Sequence, residues 1–187
     1  MSKKSFEETS KTLVEAIELC FDNELWLQGL ILIYSSIDIM AWLSLPDFRD
    51  KVSGSDFNKW VNRYLLPESN LHCNAEDIWG ARCSTLHTGT SESSKSRRGT
   101  AKEIFYAVGS SNADGIQGWI NFHNEQGCKV AVSSASLLNA LQEGIKRFKS
   151  DIENDSKQAD TVYKRADKFF INIDVPEVPL QQEGDSA

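Results

Sequence analysis

The chain has 187 residues, 40% of them apolar and 25% charged, with a formal net charge of −7. This composition excludes wholesale disorder, and the length suits one well-buried domain. The negative charge excludes broad, non-specific attraction to nucleic acid, although a local basic patch stays compatible with it.

In chain order, residues 6–21 place Phe6, Leu13, Ala16, Ile17 and Cys20 at helical spacing, with Glu7, Glu8 and Lys11 between them. The apolar run Leu25–Leu43 follows and is close to a membrane span in length. Gln28, Ser35, Ser36 and Asp38 interrupt it, and an ionised aspartate near a bilayer centre is costly, so a buried helix is expected. Such a helix is apolar around most of its circumference. One face is expected to meet the core and another a second surface, for which a homodimer seam is the natural candidate. Ser53-Gly54-Ser55-Asp56 reads as an N-terminal cap for a helix through Leu66, stopped by Pro67. Phe57, Trp60, Val61 and Tyr64 fall on one face of it. A further helix is predicted from Asn74, with Asp77 in the capping-box position, to about Thr88 before Gly89.

The texture then changes. Thr90–Thr100 is polar and has no apolar period, so it reads as a loop. The runs 103–108, 118–122 and 128–132 are short and β-rich, and predict a small antiparallel sheet. Ser133 or Ser134 caps an amphipathic helix with Leu138, Leu141, Ile145 and Phe148 on its apolar face. A last helix carries Val162, Tyr163, Ala166, Phe169 and Phe170. Residues 175–187 read as a disordered tail. The expected fold is mainly α within an α+β class: one domain over 5–174, with a helical core from about 5–89 and 133–170 and a small sheet at about 103–132.

No secretory leader reads from Met1-Ser-Lys-Lys-Ser-Phe6, and Cys20, Cys73, Cys83 and Cys128 have no paired spacing. Free thiols, a reducing compartment and a cytoplasmic location are expected, without a membrane partner.

The chemistry concentrates in Arg82-Cys-Ser-Thr-Leu-His87, an arginine and a histidine separated by four residues late in a predicted helix. An imidazole titrates near neutrality and shuttles protons at useful cost. A guanidinium is a permanently charged fork suited to a phosphate. In a regular helix the five-position separation means about 140° of rotation and roughly 7.5 Å of rise. Convergence therefore needs the length of the arginine, a loosened last turn, or a partner chain. Cys83 and His87 are spaced i, i+4 and share a face. Cys83 activated by His87 is a second arrangement, without a visible third orienting group. A zinc set of His72, Cys73, Cys83 and His87 is disfavoured, because the first pair sits in the loop just before the helix start, some ten residues or about 15 Å of helix away from the second. No metal or cofactor is expected. Asp38 is a candidate buried partner for Arg82, with Tyr34 or a backbone neighbour as the alternative that satisfies it. Lys95, Arg97, Arg98 and Lys102 form the local basic patch, readable either as a phosphate track or as a solvated loop.

The Arg-x4-His pattern resembles the HEPN superfamily of bacterial and archaeal RNA-cleaving domains. The segments Ile37–Leu43, Trp60–Pro67 and Ala81–Thr88 are similar to small bacterial proteins of HEPN type, and the resemblance covers roughly the first half of the chain. It implies a helical bundle and a homodimer with two motif copies facing each other. It also implies metal-independent RNA cleavage, in which Arg82 stabilises charge and His87 moves the proton, leaving a 2′,3′-cyclic phosphate and a 5′-hydroxyl. The setting it implies is a toxin or phage-defence system with an antitoxin or regulatory protein as partner. Many members carry a polar residue, often asparagine, directly after the arginine, where this chain has Cys83. A non-catalytic regulatory or interaction protein on the same helical dimer is the alternative.

Overall fold

The computed structural model describes residues 2–169. Helix α1 (Ser2–Asp22) turns back at Asn23–Leu25 into α2 (Trp26–Leu43), and the two pack along each other. A loop leads to α3 (Gly54–Trp60), which runs on as a π-helical turn at Val61–Leu65. Helix α4 (Ala75–Thr88) carries the Arg82–His87 segment. The short α5 (Ser94–Arg97) leads to β1 (Glu103–Ala107), α6 (Ala113–Phe122), β2 (Lys129–Ser133), α7 (Ser134–Asn154) and α8 (Ser156–Ala166).

The helix boundaries follow local chemistry. Ser53 caps α3 and Asn74 caps α4, each in a reciprocal box with the carboxylate three residues on, Asp56 and Asp77. Gly89 ends α4 in the left-handed region at φ 65, where glycine carries no steric penalty. Ser133 caps α7, whose Leu141 and Phe148 are fully buried. Phe148 packs against Phe6, Trp60 and Tyr64, with ring centroids 5.1 to 6.3 Å apart, and so ties α1, α3 and α7 into one core. Half of α2 is buried against the protein, although by length and composition alone it could cross a bilayer.

Three expectations are corrected. The sheet is parallel, not antiparallel: β1 and β2 pair from Glu103↔Lys129 to Ala107↔Ser133. The run 118–122 is not a strand but the second half of α6, the helix that carries the chain back so that the two strands can align in parallel. Ile116 and Ile120 turn one side of α6 inward at i, i+4 spacing, while Asn112 caps its start by accepting from the Asp114 amide. The 90–100 segment also contains a turn of helix, started by a reciprocal cap between Ser93 and Ser96. The expected tail and Phe170 lie outside the described residues.

The π-helical turn has an identifiable support. Leu66 N–H reaches back to Val61 O at 2.9 Å, and the Tyr64 carbonyl accepts from Arg147 Nε and Nη2 at 2.9 and 2.7 Å. Gly144, one turn earlier on α7, lets that carbonyl come close. A Cβ at Gly144 would stand 3.0 Å from Tyr64 O and 3.2 Å from the Trp60 ring. Alanine ordinarily stabilises a helix interior relative to glycine by about 1 kcal/mol. Here the neighbours are pinned backbone and a packed indole, so Gly144→Ala is expected to lose about 1–2 kcal/mol in a denaturant titration. A gain in stability would show that the π-helical turn yields.

Asp56 accepts both Arg49 Nη1 at 2.8 Å and Arg49 Nη2 at 2.5 Å, besides the Ser53 hydroxyl and amide. The Arg49 guanidinium, aided by those two donors, holds the Asp56 carboxyl well below the usual carboxylate range. A depressed carboxyl pKa adds stability that is complete above the unfolded value, about 4, and is lost as the pH falls through the acid range below it. Asp56→Asn keeps a cap acceptor but cannot titrate. Its unfolding free energy is expected to fall less steeply than wild type below about pH 4. Equal acid slopes would remove Asp56 from the acid limb.

Candidate active site

The site is built where α4 crosses α2. Arg82 points from α4 towards Asp38, the one carboxylate of the apolar helix. Its Nε and Nη2 both donate to Asp38 Oδ2, at 2.8 and 2.6 Å. Both side chains are about four-fifths buried, at 20% and 23% exposure. Burial pushes the Asp38 carboxyl above its ordinary value, while the hydrogen bond and charge of Arg82 pull the other way. On Asp38 burial outweighs the partner, whereas on Arg82 burial is outweighed by the contacts with Asp38 and Cys83 together, so the pair counts for the geometry it fixes rather than for net stability. Tyr34 does not serve Asp38. Its hydroxyl pairs with that of Tyr106 on β1, inside the core.

Trp79 supplies a second restraint. It precedes Arg82 by three residues on the same face of α4, and the guanidinium carbon lies 5.0 Å from its ring centroid. Only spacing from the arginine signals this role in the sequence, where tryptophans otherwise read as core or interface anchors.

With Nε and Nη2 engaged, Nη1 remains, and it lies 3.4 Å from His87 Nε2. The 140° turn of a regular helix is thus bridged within one chain, because the arginine is long enough to reach around α4. A guanidinium only donates, so the contact is satisfied by a neutral imidazole whose Nε2 accepts. His87 itself is exposed at the end of the helix, so a ligand can reach it.

Cys83 and His87 open onto a cleft of about 520 Å³ between the end of α4 and the start of α5, lined also by Thr90, Ser93 and Arg97. Of the basic run, only Arg97 lines it. Lys95 is tied to Glu76, and Arg97 donates to Glu92 at 3.1 Å. Arg98 Nε donates to the Ser94 carbonyl, while Lys102 is held by its backbone amide to Asp77 Oδ1 at 2.6 Å. Two of the four charges are therefore already matched by carboxylates.

His72 lies in a different place, on a cavity at the C-terminal ends of β1 and β2 with Ser111 and Ser133. Among the described residues no group of three or more His, Cys, Asp or Glu side chains has metal-holding geometry, so the four residues of the zinc set do not come together. Burial also raises the Cys73 thiol to about 12, leaving it protonated at neutral pH.

Compared with protein-family models, curated proteins and solved structures, the chain has no match.

Proposed function

We propose that this chain is a HEPN-like, metal-independent endoribonuclease that works as a cytoplasmic homodimer, in a toxin or phage-defence setting with an antitoxin or regulatory partner. The observation that carries the reading is the approach of Arg82 Nη1 to His87 Nε2 at 3.4 Å on an exposed helix end. His87 takes the proton from a ribose 2′-hydroxyl. The freed oxygen attacks the adjacent phosphorus, and Arg82, held by Asp38 and Trp79, faces the charge that builds on the phosphate oxygens. The bond to the 5′-oxygen breaks. That oxygen takes a proton from the second copy of the motif, leaving a 2′,3′-cyclic phosphate and a 5′-hydroxyl. Arg97, Arg98 and Lys102 border the RNA path as phosphate contacts.

The homodimer draws support from the apolar start of α2. Leu25, the residue that caps α2, and Leu27 in its first turn are 47% and 42% exposed, so two neighbouring apolar side chains are half open to solvent there. Leu27 Cδ2 lies 3.8 Å from where a Cβ on Gly89 would stand, which brings this surface to the end of the motif helix.

A second reading has its own observation. Arg82 spends two donors on Asp38, as an interhelical staple would, which suits a non-catalytic interaction protein on the same dimer. Incubating wild type and His87→Ala with RNA in EDTA separates the two. Cleavage by wild type alone, ending in cyclic phosphates, is the expected result. A wild-type dimer that leaves RNA intact would favour the interaction protein, and activity abolished by the chelator would overturn the metal-independent chemistry.

A further inference from the structure

The cleft beside His87 carries charges of both signs. Among the described residues its lining holds one carboxylate, Glu92, and one guanidinium, Arg97. The two are joined across the turn that starts α5, where Arg97 Nη1 donates to Glu92 Oε2 at 3.1 Å. A carboxylate is out of place in the lining of a site for a polyanion. It repels each phosphate, and it occupies the cation that would receive one.

The fold delivers Glu92 to the cleft from both sides. Ser91, just before it, donates its hydroxyl to Glu103 at the start of β1, at 2.5 Å. The Ser91 carbonyl accepts from the buried Ser84 hydroxyl of α4 at 3.3 Å. Ser93, just after it, is 5% exposed and caps α5 in a reciprocal box with Ser96. The backbone at Glu92 is thus tied to α4, α5 and β1. The pair it makes is easily exchanged, because the two side chains are 56% and 58% exposed, and ion pairs so open to water hold weakly. Only one nitrogen of Arg97 is spent, on a single carboxylate oxygen. A phosphodiester offers two unesterified oxygens, which suit the guanidinium fork better.

Taking the ligand from the proposed RNA-cleaving function, on which this rests, we propose that Glu92 is an intramolecular competitor for Arg97. It holds the guanidinium until the phosphate of a bound strand displaces it, and so keeps the affinity of the cleft for RNA below what Arg97 alone would give.

Fluorescence anisotropy with a single-stranded oligoribonucleotide whose 2′-hydroxyls are methylated reads binding apart from chemistry, since no nucleophile remains to cleave it. Wild type, Glu92→Gln, Arg97→Ala and the double variant are titrated as full chains. Glu92→Gln keeps the size of the side chain and removes its charge, and it is expected to tighten binding about threefold. Arg97→Ala is expected to weaken it by a similar factor. Both residues are on the surface, so the variants keep the fold. The deciding comparison is Glu92→Gln made in the Arg97→Ala chain. A competitor for Arg97 gives little gain there, whereas a carboxylate that only repels the strand gives the same gain with or without the arginine. Binding unmoved or weakened by Glu92→Gln, an equal gain in both backgrounds, or no binding by any of the four chains would each overturn the proposal. The expected pattern in a protein that leaves unmodified RNA intact would sustain the role of Glu92 and overturn only the nuclease reading.

Discussion

Replacing Arg165 with methionine is expected to lower the unfolding free energy by about 2–3 kcal/mol. Arg165 is the last-turn arginine of α8, and only 4% of it is exposed. No carboxylate pairs with it among the described residues. Its guanidinium instead donates to three carbonyls, those of Trp42, Pro46 and Arg49, where α2 ends and the next loop begins. The C-terminus of a helix carries partial negative charge from carbonyls without intrahelical donors, so a cation is well placed there. The guanidinium also lies 5.2 Å from the Trp42 ring centroid. Methionine would fill much of the space of the arginine stem but offers no donor. The Trp42 and Pro46 carbonyls would keep backbone partners in Leu45 and Arg49, whereas the Arg49 carbonyl would keep none of those described. Urea titration of the two proteins gives the measure. A change within about 0.5 kcal/mol would mean that water replaces the guanidinium and that the loop does not depend on it.

The second large effect rests on the proposed nuclease reading. Arg82→Lys is expected to lower RNA cleavage about a hundredfold while the fold persists. Lysine keeps the charge and can still meet Asp38, so the contact between α2 and α4 survives. What it loses is the planar fork: the three nitrogens that let one side chain hold Asp38, lie against Trp79 and still reach His87. Single-turnover cleavage measured beside an unfolding curve separates the two consequences. Cleavage kept within threefold would assign Arg82 the role of a charge alone. A collapse of stability would make it chiefly a structural staple. Asp38→Ala is the companion variant: if Asp38 acts by holding the guanidinium, combining it with Arg82→Lys adds little further loss of activity.

Much of the architecture was legible because its causes are local. Ser53 with Asp56 and Asn74 with Asp77 announce helix starts by their spacing, and Gly89 announces an end, since each satisfies backbone groups within a turn. The inward residues of α7 follow from a 3.6-residue period. The run Gly118-Trp-Ile-Asn-Phe122 misled because aromatic and β-branched residues pack equally well on a strand or on a half-buried helix. Its state was settled by distant partners: β1 and β2 pair in parallel, and parallel pairing requires a crossover, which α6 supplies.

The candidate site divides the same way. By itself the sequence determined which residues were available: a histidine near a helix end, an arginine five positions before it, and one aspartate in an otherwise apolar helix. Their arrangement was a tertiary decision. A regular helix separates Arg82 from His87, and only the crossing of α2 over α4, with Asp38 on one side and Trp79 on the other, holds the guanidinium where one nitrogen meets the imidazole. The same holds for Arg165, whose carbonyl partners lie more than a hundred residues earlier in the chain. Capping and periodicity act over a few residues and are written in order along the chain. Desolvation, ion pairing and cavity shape depend on which surfaces meet, and those meetings exist only once the core has closed.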